Sequence, residues 1–265
     1  MGRHLVFSLC APLGAWGTAS PSSGNAAYKA TDLVPGKSAV IGLLGAALGW
    51  PRDRLGELAS GLTLAVRIDV SPVPQPAPDY HTVRKGQPPK GRERWSRFDE
   101  LRSVLTGRDD DGAMLSRREF LAEGLWTVAL HPADGIAVEA AVTVETLAEA
   151  LRRPVFPLCA GRKAFTLGLP PDPAVIEADG PMEAVAAYGW PWTRRPAMSD
   201  LLDGLHRRMV LPLRLHADAD YPGLSQSAER WIERRDVPVP MTLESGHNER
   251  RFRSRRELHL FCPVP

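Results

Sequence analysis

Apolar residues along this chain come in short blocks whose period changes from one block to the next. Leu5-Val6-Phe7-Ser8-Leu9-Cys10-Ala11 is apolar at nearly every position, the pattern of a strand covered on both faces. Ala39 to Gly49 is apolar or glycine all round. This predicts a buried helix over about 37–48, entered at Pro35 and stopped by Gly49 and Pro51. Gly42 and Gly45 would let a neighbour come close. A short helical turn follows at 52–60. Leu62 to Val70 alternates apolar with small or polar residues and is rich in β-branched types, a second strand. Leu125 to His131 is a third. Val144 to Arg152 places Leu147, Ala148 and Leu151 on one helical face.

Two extended segments, Pro154–Cys159 and Ala164–Pro170, flank the turn Ala160-Gly161-Arg162-Lys163. The order is strand, helix, strand, insertion, strand, helix, strand. That is βαββαβ, an α+β, ferredoxin-like arrangement over residues 1–170. RRM-type RNA binders share this topology, but the chain lacks their aromatic strand pattern. The insertion, 72–118, opens on the proline-rich Val73-Pro74-Gln75-Pro76-Ala77-Pro78 and continues basic and core-poor. Residues 171–265 read as a small, proline-rich, β-containing lobe, with short strands at Met209–His216, Pro238–Leu243 and Leu258–Cys262.

Charge changes the picture through its distribution. The 265 residues carry a net charge of only +2, so no global polyelectrolyte signal exists. Arginines cluster, however, at Arg92, Arg94 and Arg97, at Arg117-Arg118, at Arg194-Arg195, at Arg207-Arg208, at Arg234-Arg235 and between Arg250 and Arg256. Arginine fits phosphate bidentately and stacks on bases; solvated arginine balanced by the 31 acids is the alternative. The three cysteines, Cys10, Cys159 and Cys262, lie far apart, and the seven histidines form no His-x3-His pair, so no disulfide framework, metal or other cofactor is predicted. Met1 to Ala11 resembles a short secretory segment, but the apolar run is as short as such a segment can be and serves equally well as a strand. The expectation is a cytoplasmic protein without a membrane span.

The chemistry concentrates at Pro35-Gly36-Lys37-Ser38. A helix N-terminus carrying Gly-Lys-Ser presents free N–H groups, a dipole and a cation at one point. A nucleotide-binding P-loop requires a glycine where Thr31 stands and a strand where residues 18–34 read as loop. A nucleic-acid phosphate held at the helix end is the second reading, and a core helix with Lys37 in solvent the third. Trp16 is read either as a stacking platform beside this helix end or as packing. His81 has no nucleophile or acid at a recognisable spacing.

Five segments in order carry a resemblance. They are Leu13-Gly14-Ala15-Trp16-Gly17, Pro35-Gly36-Lys37-Ser38 with its Gly-rich helix, Asp79-Tyr80-His81-Thr82-Val83, Arg117-Arg118-Glu119-Phe120-Leu121 and Gly161-Arg162-Lys163. Together they resemble the Cas-five class, the CasD-type subunits of type I-E CRISPR Cascade complexes, over roughly residues 5–170. The resemblance implies a RAMP-type, non-catalytic RNA-binding subunit of an antiviral surveillance complex. Such a subunit caps the 5′ handle of the crRNA, places an inserted thumb at the handle–spacer junction, and contacts the backbone subunit CasC and the large subunit CasA, which engages target DNA. On this reading Lys37 and Ser38 hold handle phosphates, and Arg162 and Lys163 flank the same groove. Arg117 and Arg118 sit at the thumb base, with pairing to Glu119 or Glu123 as the alternative. Trp16, Tyr80 and His81 are candidates for base stacking. A related branch cleaves CRISPR RNA without metal, and Tyr80, His81 and Lys85 are the groups that would supply a base, an acid and a cation here.

Overall fold

The structure, a computed structural model, describes residues 1–18, 28–83, 114–133, 142–196, 204–205, 207–209, 211–224, 230–239 and 252–262. Its frame is one antiparallel sheet. Strand β1 (Gly2–Gly14) lies between β9 (Leu121–Pro132) and β10 (Ala174–Ala178), and β5 (Leu62–Val70) lies beyond β9. Three more strands continue the sheet past β5 in the order β11 (Leu213–Asp218), β13 (Phe252–Cys262), β12 (Arg230–Pro238), the two-residue β6 (Val73–Pro74) pairs with β9, and the two-residue β2 (Trp16–Gly17) and β4 (Thr31–Asp32) pair with each other. The described strands of 171–265 therefore extend the main sheet and add to its core.

Helix α1 (Lys37–Leu48) joins β1 to β5 through the short α2 (Leu55–Ser60), and α3 (Val144–Arg152) joins β9 to β10. Both lie on one face of the sheet; α4 (Pro181–Tyr188) lies on the other. Period-two alternation builds the two cores. Leu5, Phe7 and Leu9 of β1 face α1, α2 and α3, whereas Val6 faces α4 with Ala129, Val185 and Tyr188. That is why residues 5–11 are apolar at every position but Ser8: they form a strand buried on both faces. Each such side chain contributes about 1.5–3 kcal/mol relative to exposure.

Gly49 ends α1 at φ 72°, and its N–H donates to the Ala46 carbonyl. A Cβ at Gly45 would stand 2.3 Å from Leu55 Cδ2, so this glycine seats the Leu55 side chain, while Gly42 faces open space. α3 starts on a Thr143–Thr146 capping box.

Several expected strands move. The fourth strand of the βαββαβ series is β10, Ala174–Ala178; Pro154–Cys159 and Ala164–Pro170 meet only in a bridge between Cys159 and Thr166. Five prolines and two glycines between 154 and 173 break any longer ladder there. Met209–His216 becomes Leu213–Asp218, and Leu258–Cys262 lengthens to Phe252–Cys262. The Pro238–Leu243 strand is displaced: the observed strand ends at Pro238, and residues 240–243 lie outside the described residues. So do Lys85, Arg92, Arg94, Arg97 and all of 84–113 of the insertion.

Candidate nucleic-acid interface

The N-terminus of α1 is already occupied by the protein's own carboxylates. The Lys37 backbone N–H donates to Asp236 Oδ2 at 2.8 Å, the place an external phosphate would take. The Lys37 side chain is buried and pairs through Nζ with Asp218 Oδ2 at 2.9 Å. Arg234 and Arg255 complete the cluster. Arg234 meets Asp32, Asp236 and Glu257, and Arg255 meets Asp218 at 2.6 Å, Asp236 at 2.7 Å and Glu257 at 2.5 Å. Burial works to raise the Glu257 carboxyl, but hydrogen bonds from His216 and His259 and the charges of Arg234 and Arg255 hold it far below the usual carboxylate range. The Gly-Lys-Ser signal thus marks an internal ion cluster that fastens α1 to β11, β12 and β13. Lys37 as a handle-phosphate contact is overturned by burial and pairing; Ser38, one position on, stays partly exposed.

Trp16 is likewise withdrawn from any stacking role. It is 1% exposed and packs edge-on against Trp126, ring centroids 5.3 Å apart. Gly161, at φ 85°, lets its turn approach the chain's own backbone: a Cβ there would lie 1.9 Å from the Ala15 carbonyl oxygen. Arg162 then reaches inward, donating to Asp79 Oδ2 at 2.6 Å and to the Glu119 carbonyl at 2.5 Å. It is a tie between this turn and the insertion, while Lys163 stays exposed.

What the structure brings together is the root of the insertion. β7 (Asp79–Val83) and β8 (Met114–Arg118) pair antiparallel, and β3 (Tyr28–Lys29) adds to β8 in parallel. The register sets Tyr28, Arg117 and Tyr80 in one row across the three strands. Cross-strand partners share a face, and all three are exposed, Tyr28 at 51% and Tyr80 at 60%. Leu115, opposite Thr82 and also exposed, extends the row's surface. The next row, Lys29, Arg118 and Asp79, takes the opposite face, where Ser116 is buried and Asp79 meets Arg162.

Glu119 accepts from the Tyr28 hydroxyl and from the Thr31 N–H at 3.0 Å, and Glu123 pairs with Arg208. The alternative pairing of Arg117-Arg118 with these acids is therefore replaced by other partners. The Tyr28 hydrogen bond, first, and the Thr31 N–H hold the Glu119 carboxyl low. Sequence reading missed Tyr28; only the parallel pairing of β3 with β8 brings it beside Arg117. His81 lies on the opposite face from Tyr80, its Nε2 3.9 Å from Asp79 Oδ2.

A row of two tyrosines around an arginine, exposed at the root of a long insertion, can stack bases and pair with phosphate. Residues 4–260 match the family described as CRISPR-associated protein (Cas_Cas5). The chain belongs to this family. It is 27% identical to the "CRISPR system Cascade subunit CasD" of Escherichia coli (strain K12) over 197 residues, 71% of this chain and 78% of that protein. It also resembles two solved structures. One, titled "CRISPR RNA-guided surveillance complex", has TM-score 0.61 and 24% identity over 99% of this chain and 91% of that one. The other, "Crystal structure of Cas protein", has TM-score 0.56 and 24% identity over 99% and 97%. The shared fold is α+β and largely antiparallel. No helix among the described residues is long and apolar enough to cross a membrane.

Proposed function

We propose that this Cas5-family chain is the crRNA-binding CasD-type subunit of a type I-E Cascade surveillance complex. The ferredoxin-like core, β1-α1-β5-β9-α3-β10, carries the insertion of 72–118 as a thumb. The 5′ handle of the crRNA runs over the thumb root, with CasC and CasA as protein neighbours and target DNA engaged through CasA. The single observation that carries the RNA contact is the exposed Tyr28–Arg117–Tyr80 row. Arg117 meets the backbone and the tyrosines stack on splayed bases.

A binding role without cleavage is supported by the placement of the candidate catalytic groups. Tyr80 and His81 are consecutive on a strand and project to opposite faces, so one substrate bond does not meet both. The test is to purify the tagged chain with its complex and sequence the RNA that accompanies it. Uniform 5′ handles lost in the Tyr28→Ala/Arg117→Ala/Tyr80→Ala variant support the reading. Random RNA, or handles retained by a folded triple variant, overturns it. Repeat-RNA cleavage by the purified chain that His81→Ala abolishes would establish the nuclease instead.

A further inference from the structure

We infer that His216, Glu257 and His259 form a binding site for one divalent transition-metal ion of the zinc class. The site lies on the sheet face that carries the ion cluster beneath α1. Glu257 and His259 stand two apart on β13, and residues i and i+2 of a strand share a face. His216 of β11 is directly opposite His259 in the ladder, so the third side chain falls on that face too. Neither spacing is a metal signature in sequence, because the set closes only through strand pairing.

Two of the three ligand separations have the dimensions of a tetrahedral site, and the third can reach them by a small turn of an imidazole. His216 Nδ1 lies 3.1 Å from Glu257 Oε1, and His259 Nε2 lies 3.2 Å from the same oxygen. Ligands on a zinc ion with bonds near 2.0–2.1 Å stand about 3.3 Å apart. The three ligand atoms all lie within 4.8 Å of one another. The carboxylate is 2% exposed, and its other oxygen is fixed by Arg255 at 2.5 Å, the kind of outer contact that aims a ligand. His259 is 25% exposed, which leaves an approach for the ion and a fourth position for water. Two imidazoles and one carboxylate suit zinc, cobalt or nickel better than calcium or magnesium.

Charge points the same way. In the cluster, Lys37, Arg234 and Arg255 stand against Asp32, Asp218, Asp236 and Glu257. The three cations offset the three buried carboxylates, and the fourth, Asp32, is partly exposed and adds one negative charge at the edge of the cluster. On binding, each neutral imidazole presents a lone pair to the ion and carries its hydrogen on the other ring nitrogen. The ion would then clamp β11 to β13 beside the N-terminus of α1.

The experiment is cobalt titration of the full chain after dialysis against a chelator, followed by absorption spectroscopy, with zinc competition. The expected result is one Co2+ per chain with the intense visible bands of tetrahedral coordination, bleached by one equivalent of Zn2+. Zn2+ should also raise the melting temperature by mass action. His216→Gln and His259→Gln should each weaken binding by at least the roughly 10–100-fold that loss of an outer-shell partner costs, and His131→Gln should not. Absence of a tetrahedral spectrum from the wild-type chain, or its persistence in a folded double variant, overturns the site. Should the double variant unfold, the wild-type Co2+ complex decides: hyperfine-shifted N–H signals from two imidazoles support the site, and fewer overturn it.

Discussion

Lys37 shows how one side chain reverses its meaning between sequence and structure. A Gly-Lys-Ser at a helix start satisfies every local requirement for an anion site, and α1 does hold an anion there, the carboxylate of Asp236. That partner lies 199 positions away in the chain, so nothing near residue 37 announces it. Because the Lys37–Asp218 pair is buried, removing one member leaves a carboxylate short of a cation. Lys37→Met is expected to cost about 3–5 kcal/mol, lowered to the extent that Arg255 continues to serve Asp218. Denaturant unfolding measures this loss. RNA affinity of the folded variant at moderate temperature should stay unchanged, whereas a fall in the salt slope without a fall in stability would return Lys37 to the interface. Arg117→Ala should do the reverse. Stability should hold within ~0.5 kcal/mol, as for most surface changes, and the salt dependence of RNA binding should flatten by about 0.7 per lost phosphate contact.

Among elements, legibility followed locality. β1, α1, β5, β9 and α3 were readable because each carries its own period and its own stop, as in Gly49 after α1 or the alternation of Leu62 to Val70. β10 is hidden because Ala174–Ala178 is short and mostly half-buried, and its place is set by the register Leu5↔Val175 on β1. The ribbon at the insertion root was hidden for a related reason: β3 contributes two residues, and they count only once Tyr28 pairs with Arg117. A Gly-Arg-Lys turn looks the same in sequence whichever backbone it approaches, so Gly161 and Arg162 give no sign of facing inward. Here it approaches Ala15. Gly161→Ala should therefore destabilise strongly, by the strain of a positive φ and by collision with that carbonyl, and a melting curve reads it. The ladder between β7 and β8 closes at Val83↔Met114. Replacing 84–113 by a short turn is thus expected to leave the melting temperature of the chain nearly unchanged while impairing assembly or target binding. Global unfolding of that variant would place core residues inside the segment.

At the scale of the molecule, the ion cluster joins the two parts of the chain that the sequence separates. Asp236 and Arg234 of β12, Glu257 and Arg255 of β13 and Asp218 of β11 all converge on the start of α1. The C-terminal strands are thereby held by electrostatics as well as by the sheet ladder, and their hold depends on pH. The Glu257 carboxyl, faced by Arg234, Arg255, His216 and His259 and neighboured by Asp218 and Asp236, ionises far more readily folded than unfolded. A depressed folded pKa contributes stability that is fully present above the unfolded value, near 4.5, and is lost progressively as pH falls below it. Glu257→Gln removes that contribution. The wild type should therefore melt well above this variant at pH 7, and the gap should narrow steadily as the pH is lowered from about 5 toward 3. Thermal unfolding of both chains across that range, followed at a fixed low salt to keep screening constant, measures the convergence. A gap that stays constant with pH would mean that Glu257 acts by packing alone, and that the C-terminal strands are held by the ladder without help from the cluster.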